Sequence, residues 1–409
     1  MNINCIKCKG RGYCGRSYCP HIIKSEARFK VSSKLDKEDF TGSSVSPFVG
    51  RFGYPYVNVG ILAPPEVKED AWLLDSPKHW SAENFQIDRI IDFRSSLINS
   101  RFTANVKQMD KMLEISQEVG LSSKPVDVEF NLEKKPVFRI TADSFMAPTG
   151  PNAKLRKATV ASNPKIDARV DRVYSDYDFK ANEAVWSLYE KGFDENFLSK
   201  ILSIGTIGVK KDRKLVPTRW SITATDDLIA KNLIKEVKDY SVGNYTAYFG
   251  SYLGNYYLVL MFPEVWSYEL FEMYSPKASW NVSDSFQFTT DYEDYYGRKN
   301  YASNCAGGYY SVRLAVLEKL REMRRQGAVL VLRFITGEYY APLGVFVTRE
   351  AARKSLSSKP IEFSSKELML EYCRKLVRKK FGYNVDSVLG SSLLLKNMKE
   401  QRKLSGFIS

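Results

Sequence analysis

Histidine is nearly absent from this chain: its 409 residues include two, His21 and His79. That leaves little material for imidazole-based acid and base catalysis. Three common catalytic signatures are also missing, G-x-x-x-x-G-K-[ST], H-E-x-x-H and G-x-S-x-G. Their absence argues against P-loop nucleotide hydrolysis, zincin chemistry and the hydrolase elbow. No apolar run approaches the roughly 18 residues that a membrane span requires. The longest stretch, around Tyr256 to Phe262, is cut off by Pro263 and Glu264. The opening MNINCIKCKG has no apolar h-region of the kind a secretory signal carries. We therefore expect a soluble, cytoplasmic protein with no membrane partner.

What is present is enough apolar material for a large core, 44% of residues against 26% charged, in a chain long enough for two or three packed units. Lys and Arg number 61 against 47 Asp and Glu, for a formal charge of +14. The location of that excess says more than its size. Residues 1–30 hold seven basic groups and one acidic, residues 349–409 hold fourteen and six, and the stretch between them balances. Two positive ends on a neutral body are the electrostatic footprint expected for a polyanion, nucleic acid before membrane. Solvated lysine-rich ends are the plainer reading of the same counts.

Four of the six cysteines fall within the first nineteen residues, as Cys5, Cys8, Cys14 and Cys19. The spacing C-x2-C-x5-C-x4-C suits one tetrahedral metal, with Gly10, Gly12 and Gly15 supplying the turns. Four sulfurs would fill the shell of a zinc ion, so the site reads as structural zinc. An iron–sulfur cluster asks for the same four thiolates.

The body mixes helices and strands, an α/β (mixed α+β) construction. A helix is expected over Tyr309 to Gln326, a buried strand over Ala328 to Ile335, a second strand from Leu343 to Thr348, and strands between Tyr240 and Phe262. The segment Leu97 to Glu118 reads as helical, while Lys30 to Ser46 and Asn152 to Lys165 read as loops. Asp88 and Asp92 stand one helical turn apart but beside Arg89 and Arg94, which makes salt bridging simpler than metal binding. Three segments could touch a nucleotide or nucleic acid. FVGRFGYP places Arg51 between glycines. PTRWSITATDD combines Arg219 with the stacking surface of Trp220. NYASNCAGGYYSVR sets Cys305, Gly307 and Gly308 at a helix start, where free N–H groups favour an anion, with Arg313 further along.

Toward the carboxyl end, Ser364 and Glu367 form a capping box for a helix over Lys366 to Lys380, and another helix is expected from Asp386 to Glu400. The last residues are Q-R-K-L-S-G-F-I-S. Gln401, Leu404, Phe407 and Ile408 occupy positions one, four, seven and eight of Q-x-x-aliphatic-x-x-aromatic-aromatic, the box by which clients dock on the PCNA sliding clamp. One helical turn brings the three apolar members together as a plug. Ile408 stands where that pattern has a second aromatic.

Taken together, the cysteine segment Cys5 to Pro20, the FVGRFGYP, PTRWSITATDD and YASNCAGGYY stretches and the terminal box resemble the archaeal NreA family of DNA repair proteins, over nearly the whole chain. The resemblance implies a zinc-binding amino end, a DNA repair role and PCNA as a partner, and it brings no settled reaction. The organisation expected is a knuckle over 1–30, a body over 31–363, basic helices over 364–400 and a docking tail over 401–409. The first functional reading is a clamp-recruited, DNA-binding repair factor. The alternative is a repair enzyme acting on a nucleotide or DNA base in a pocket lined by Arg219, Trp220, Cys305, Gly307 and Gly308.

Overall fold

The computed structural model describes residues 38–136 and 149–400, together with Cys8. Among these are two six-stranded sheets and twelve α-helices. The chain divides into two units, Met1–Ile229 with Ala341–Gly344, and Ala230–Tyr340 with Val345–Ser409. The division falls inside the stretch read from sequence as a single body.

The first unit is built on strands β1 (Asp39–Ser44), β2 (Ser46–Val49), β3 (Tyr56–Ala63), β4 (Ile98–Asn105), β5 (Val126–Leu132) and β6 (Asn152–Val160), in the order β1-β5-β6-β4-β3-β2. All neighbours are antiparallel except β4 and β6. Strand β3 shows why the sheet forms: Val57, Val59, Ile61 and Ala63 point inward in strict alternation, while Tyr56 and Asn58 face outward. Helices α1 (Pro77–Ala82), α2 (Ile87–Ser95), α3 (Lys111–Leu121), α4 (Ala168–Ser175), α5 (Ala181–Glu190) and α6 (Glu195–Ser203) belong to this unit, and α7 (Thr218–Lys238) contains the division point.

Three sequence expectations fail here. The stretch Leu97 to Glu118 is not one helix: it is strand β4 followed by α3, whose start is fixed by Asp110 accepting from the Leu113 amide at 2.9 Å. Asn152 to Lys165 is largely strand β6, whose polar composition reflects outward Lys154, Arg156 and Lys157. Its inward Ala153, Leu155 and Ala158 fall out of simple alternation because a register shift sits at Asn131/Leu132 of the paired strand. Part of Lys30 to Ser46, also read as loop, is the edge strand β1.

The second unit holds strands β7 (Tyr245–Tyr252), β8 (Asn255–Phe262), β9 (Ser267–Tyr274), β10 (Gln287–Glu293), β11 (Ala328–Ile335) and β12 (Ile361–Phe363), in the order β10-β9-β11-β8-β7-β12. Strand β11 lies between β8 and β9, parallel to β9, and all eight of its residues are buried. A strand covered on both faces needs no alternation, which explains the continuous AVLVLRFI run. Helices α8 (Ala306–Met323), α9 (Phe346–Leu356), α10 (Lys366–Phe381), α11 (Asp386–Ser391) and α12 (Leu393–Glu400) complete the unit.

Leu343 to Thr348, expected as a strand, instead leads into α9, whose first residues Phe346, Val347 and Thr348 are buried. A short apolar run carries no period of its own, and tertiary burial decided it as helix. The single helix expected from Asp386 to Glu400 is two helices separated at Ser392, and α8 ends not at Gly327 but at Arg324, in the left-handed region with φ 50°. Residues 364–400, expected as separate basic helices, supply Met369, Cys373, Val377, Val388, Leu389 and Leu394 to the core over Leu330, Leu332 and Phe334.

Candidate nucleic-acid interface

The sequence-predicted residues separate into an exposed group in the first unit and a buried group in the second. The exposed group begins at the β2–β3 connection. Gly50 N donates to Asn58 O at 2.8 Å and Tyr56 N donates to Gly53 O at 2.8 Å, closing a tight loop over residues 50–55 with a cis Tyr54–Pro55 bond. Gly53 sits at φ 84°, and a Cβ there would meet Tyr56 O at 2.6 Å, so the loop requires glycine. The loop thrusts its side chains outward: Phe52 is 75% exposed, Tyr56 58% and Tyr54 50%. Arg51 lies over the Phe52 ring, 4.9 Å from its centroid.

A segment far along the chain joins this loop. Thr218 Oγ1 accepts from Val49 N at 2.8 Å and lies 3.1 Å from Ser203 Oγ, which docks the first turn of α7 against the end of β2. Buried Pro217 precedes that turn, where its missing N–H costs the helix no hydrogen bond. The turn carries no acidic residue, leaving its positive end uncompensated within the helix. Trp220 is half exposed and its ring centroid lies 6.5 Å from that of Tyr54. Arg219 beside it is exposed.

A third segment is tied in by backbone. Val106 N donates to Pro55 O at 3.0 Å and Leu215 N to Val106 O at 2.8 Å, so exposed Lys107 and Lys214 flank the same junction. Beneath lies an apolar cluster of Val49, Val57, Val59, Ala104, Val106, Leu113, Ile204 and Leu215. The result is a firm base carrying exposed aromatic rings among four cations. Neither Arg51 nor Arg219 enters an ion pair among the described residues. Sequence reasoning named Arg51, Arg219 and Trp220 but missed Phe52, Tyr54, Lys107 and Lys214; aromatic residues flanking a glycine turn were the available signal for the first two.

The second group has a different character. Cys305 is 3% exposed, its Sγ 3.7 Å from Leu270 O and from Thr289 Oγ1. Burial pushes its thiol well above the ordinary range, and the charge of Glu272 adds to this, so the activation expected at a helix start does not occur. Its amide donates to Asp291 Oδ2 at 2.8 Å. Gly308 lets α8 approach the sheet: a Cβ there would lie 2.4 Å from Glu272 Oε1. Gly307 beside it is half-buried. Glu272 pairs with Arg333, which stands opposite it in the parallel β9–β11 register, and Arg333 also binds Asn255 Oδ1. Arg313 pairs with Glu293 at 2.7 Å, both buried, and Arg298 with Asp291 at 3.0 Å. The α8-facing side of this sheet thus matches three carboxylates to three guanidinium groups. Buried, reciprocally paired charges of this kind hold elements in register and leave little for an incoming anion.

Among the described residues, no group of three or more His, Cys, Asp and Glu could hold a metal ion, and no helix is long and apolar enough to cross a membrane. Around Asp88 and Asp92 on α2, Arg89 lies over the Phe93 ring and Arg94 over Trp80. Of the four amino-terminal cysteines, Cys8 is buried, while Cys5, Cys14 and Cys19 lie outside the described residues, as do Gln401, Leu404, Phe407 and Ile408.

The fold and surface define a two-unit α/β protein that presents cations and aromatic rings on the first unit and a closed ionic core in the second. Residues 13–281 match the family described as Archaeal Nre, N-terminal, and residues 293–407 match Archaeal Nre, C-terminal. The chain belongs to the archaeal Nre family. It is 40% identical over 369 residues to DNA repair protein NreA of Archaeoglobus fulgidus, covering 89% of this chain and 91% of that one. It is 38% identical over 375 residues to DNA repair protein NreB of the same organism, covering 91% and 93%. DNA repair protein NreA of Haloferax volcanii is 37% identical over 342 residues, 81% of each chain. No solved structure matches the chain.

Proposed function

We propose that this protein is a DNA repair factor that binds DNA and is carried to the PCNA sliding clamp by its terminal residues. The observation that carries the DNA reading is the convergence of Arg51, Arg219, Lys107 and Lys214 with exposed Phe52, Tyr54 and Trp220 on one folded junction. Cations hold phosphates by a sequence-independent attraction, and the rings add contact area to bases or sugars. The basic termini extend the same attraction. The names of the relatives, all DNA repair proteins, favour DNA as the polyanion and repair as the setting. An enzyme using Cys305 as nucleophile draws no support, because its buried, raised thiol supplies almost no thiolate near neutral pH.

Recruitment rests on Gln401, Leu404, Phe407 and Ile408, with Leu404, Phe407 and Ile408 as the apolar plug, and Cys5, Cys8, Cys14 and Cys19 hold zinc in this reading. Native mass spectrometry of the full chain mixed with the clamp of the same organism tests both together. Expected are a chain mass raised by one zinc ion and a complex with the clamp. The double variant Phe407→Ala, Ile408→Ala keeps the zinc and loses the complex. A variant that still forms the complex, or a wild-type chain without zinc, would overturn the corresponding half.

A further inference from the structure

We infer that the junction of the β2–β3 loop with the start of α7 is a stacking site for unstacked bases of single-stranded DNA, with Trp220 and Tyr54 as the principal stacking rings and Arg51 and Arg219 at the phosphates. The inference rests on the DNA reading above and goes beyond it by assigning the strand state and the residues.

The case is one of chemistry and placement. A chain has no folding reason to leave Phe52 75%, Tyr56 58%, Tyr54 50% and Trp220 50% exposed at one junction, since a clustered apolar surface costs solvation and invites association. Exposed rings beside guanidinium groups that have no ion pair among the described residues are what a single strand uses: every base has a π-face, and stacking on a side-chain ring is indifferent to sequence. A duplex does not fit this chemistry as well, because its bases are already stacked and it would meet the rings only along its backbone.

Rigidity supports the same use. Tyr54 stands between the positive-φ Gly53 and Pro55. Trp220 is held through Thr218 to Val49 and Ser203, and through buried Pro217, whose carbonyl accepts from Trp220 N at 2.7 Å. Rings fixed in advance lose little conformational freedom when a base arrives. Arg51, already placed over Phe52, presents its guanidinium plane next to the rings. Lys107 and Lys214, each next to a residue hydrogen-bonded into the junction, add two exposed cations beside it.

Fluorescence anisotropy with a labelled single-stranded oligodeoxynucleotide of about 12 residues tests this. Wild-type protein is expected to bind it more tightly than a duplex of the same length. Trp220→Ala and Tyr54→Ala should each weaken single-strand binding about 5- to 100-fold, as loss of one stacked base does. The double variant Arg51→Ala, Arg219→Ala should lower the slope of log affinity against log salt by about 0.7 per arginine. Tyr296→Ala removes a ring that is 91% exposed elsewhere and should leave binding unchanged. The inference is overturned if Trp220→Ala and Tyr54→Ala bind the single strand as wild type does. Tighter wild-type binding to the duplex, or to an oligoribonucleotide of the same sequence, also overturns it. Wild-type binding that persists in Trp220→Ala and Tyr54→Ala, or that favours the duplex, refutes the stacking site and leaves the DNA reading standing, whereas no binding to either oligodeoxynucleotide refutes both.

Discussion

At the scale of single residues, the structure separates two kinds of arginine and glycine that sequence placed on one footing. Arg51 and Arg313 are both named as candidates for anion contact, yet Arg51 is exposed and Arg313 is buried against Glu293 at 2.7 Å. No local pattern distinguishes them, because what decides is a carboxylate twenty residues earlier on a neighbouring strand. Likewise Gly308, named for the anion-favouring N–H groups of a helix start, is explained by close packing, the commoner use of paired glycines there. A Cβ at 308 would lie 2.4 Å from Glu272 Oε1 and 3.4 Å from Arg333 Nη1, inside a buried ion pair that cannot move freely. Gly308→Ala is therefore expected to destabilise the chain by about 1–3 kcal/mol, seen as a lower urea midpoint at unchanged slope. A midpoint equal to that of wild type would show that the pair has room to yield.

At the scale of elements, long periodic or continuously apolar segments were legible and short mixed ones were not. Ala328 to Ile335 was read correctly as a buried strand because an apolar run bounded by Gly327 and Gly337 permits little else. Leu97 to Glu118 was misread because the inward face of β4 holds polar Ser100 where alternation would show an apolar residue, and the helix begins only after Asp110. The break between α11 and α12 had no sequence signal either, and its cause lies across the sheet. Glu269 on β9 accepts from Ser392 Oγ at 2.5 Å and from the amides of Leu393 and Leu394, each at 3.1 Å, so a strand carboxylate caps the last helix.

Burial raises the Glu269 pKa, while Ser392 and the two amides pull it back. A carboxyl raised in the folded chain contributes stability that is complete below the ordinary glutamate range and is lost as pH rises through the raised value. Stability compared by urea from about pH 4 to about pH 7 should thus show Glu269→Gln gaining on wild type as pH increases. A gap that widens against the variant over that interval would mean the cap holds the ionised form more tightly than burial opposes it.

At the scale of the whole molecule, the charge distribution is legible in the sequence because it is linear, and the assembled junction is not, because its parts lie far apart along the chain. FVGRFGYP and PTRWSITATDD are each weak signals. Their meeting depends on the Val49 to Thr218 hydrogen bond, which spans 169 positions in sequence. The same holds for Lys107 and Lys214, which reach the junction through Val106. In the proposed function, DNA contact falls to the first unit and the basic ends and delivery to Gln401–Ser409, while the second unit carries a self-paired ionic core.

In the proposed function, clamp and DNA binding act on one complex, where two linked contacts should hold longer than either alone. The direct measurement is dissociation of the full chain from immobilised primed DNA, with and without loaded clamp, by surface plasmon resonance. The account predicts that the clamp slows dissociation of the wild-type chain and leaves that of Phe407→Ala, Ile408→Ala unchanged. Equal dissociation rates with and without clamp for the wild-type chain would contradict it.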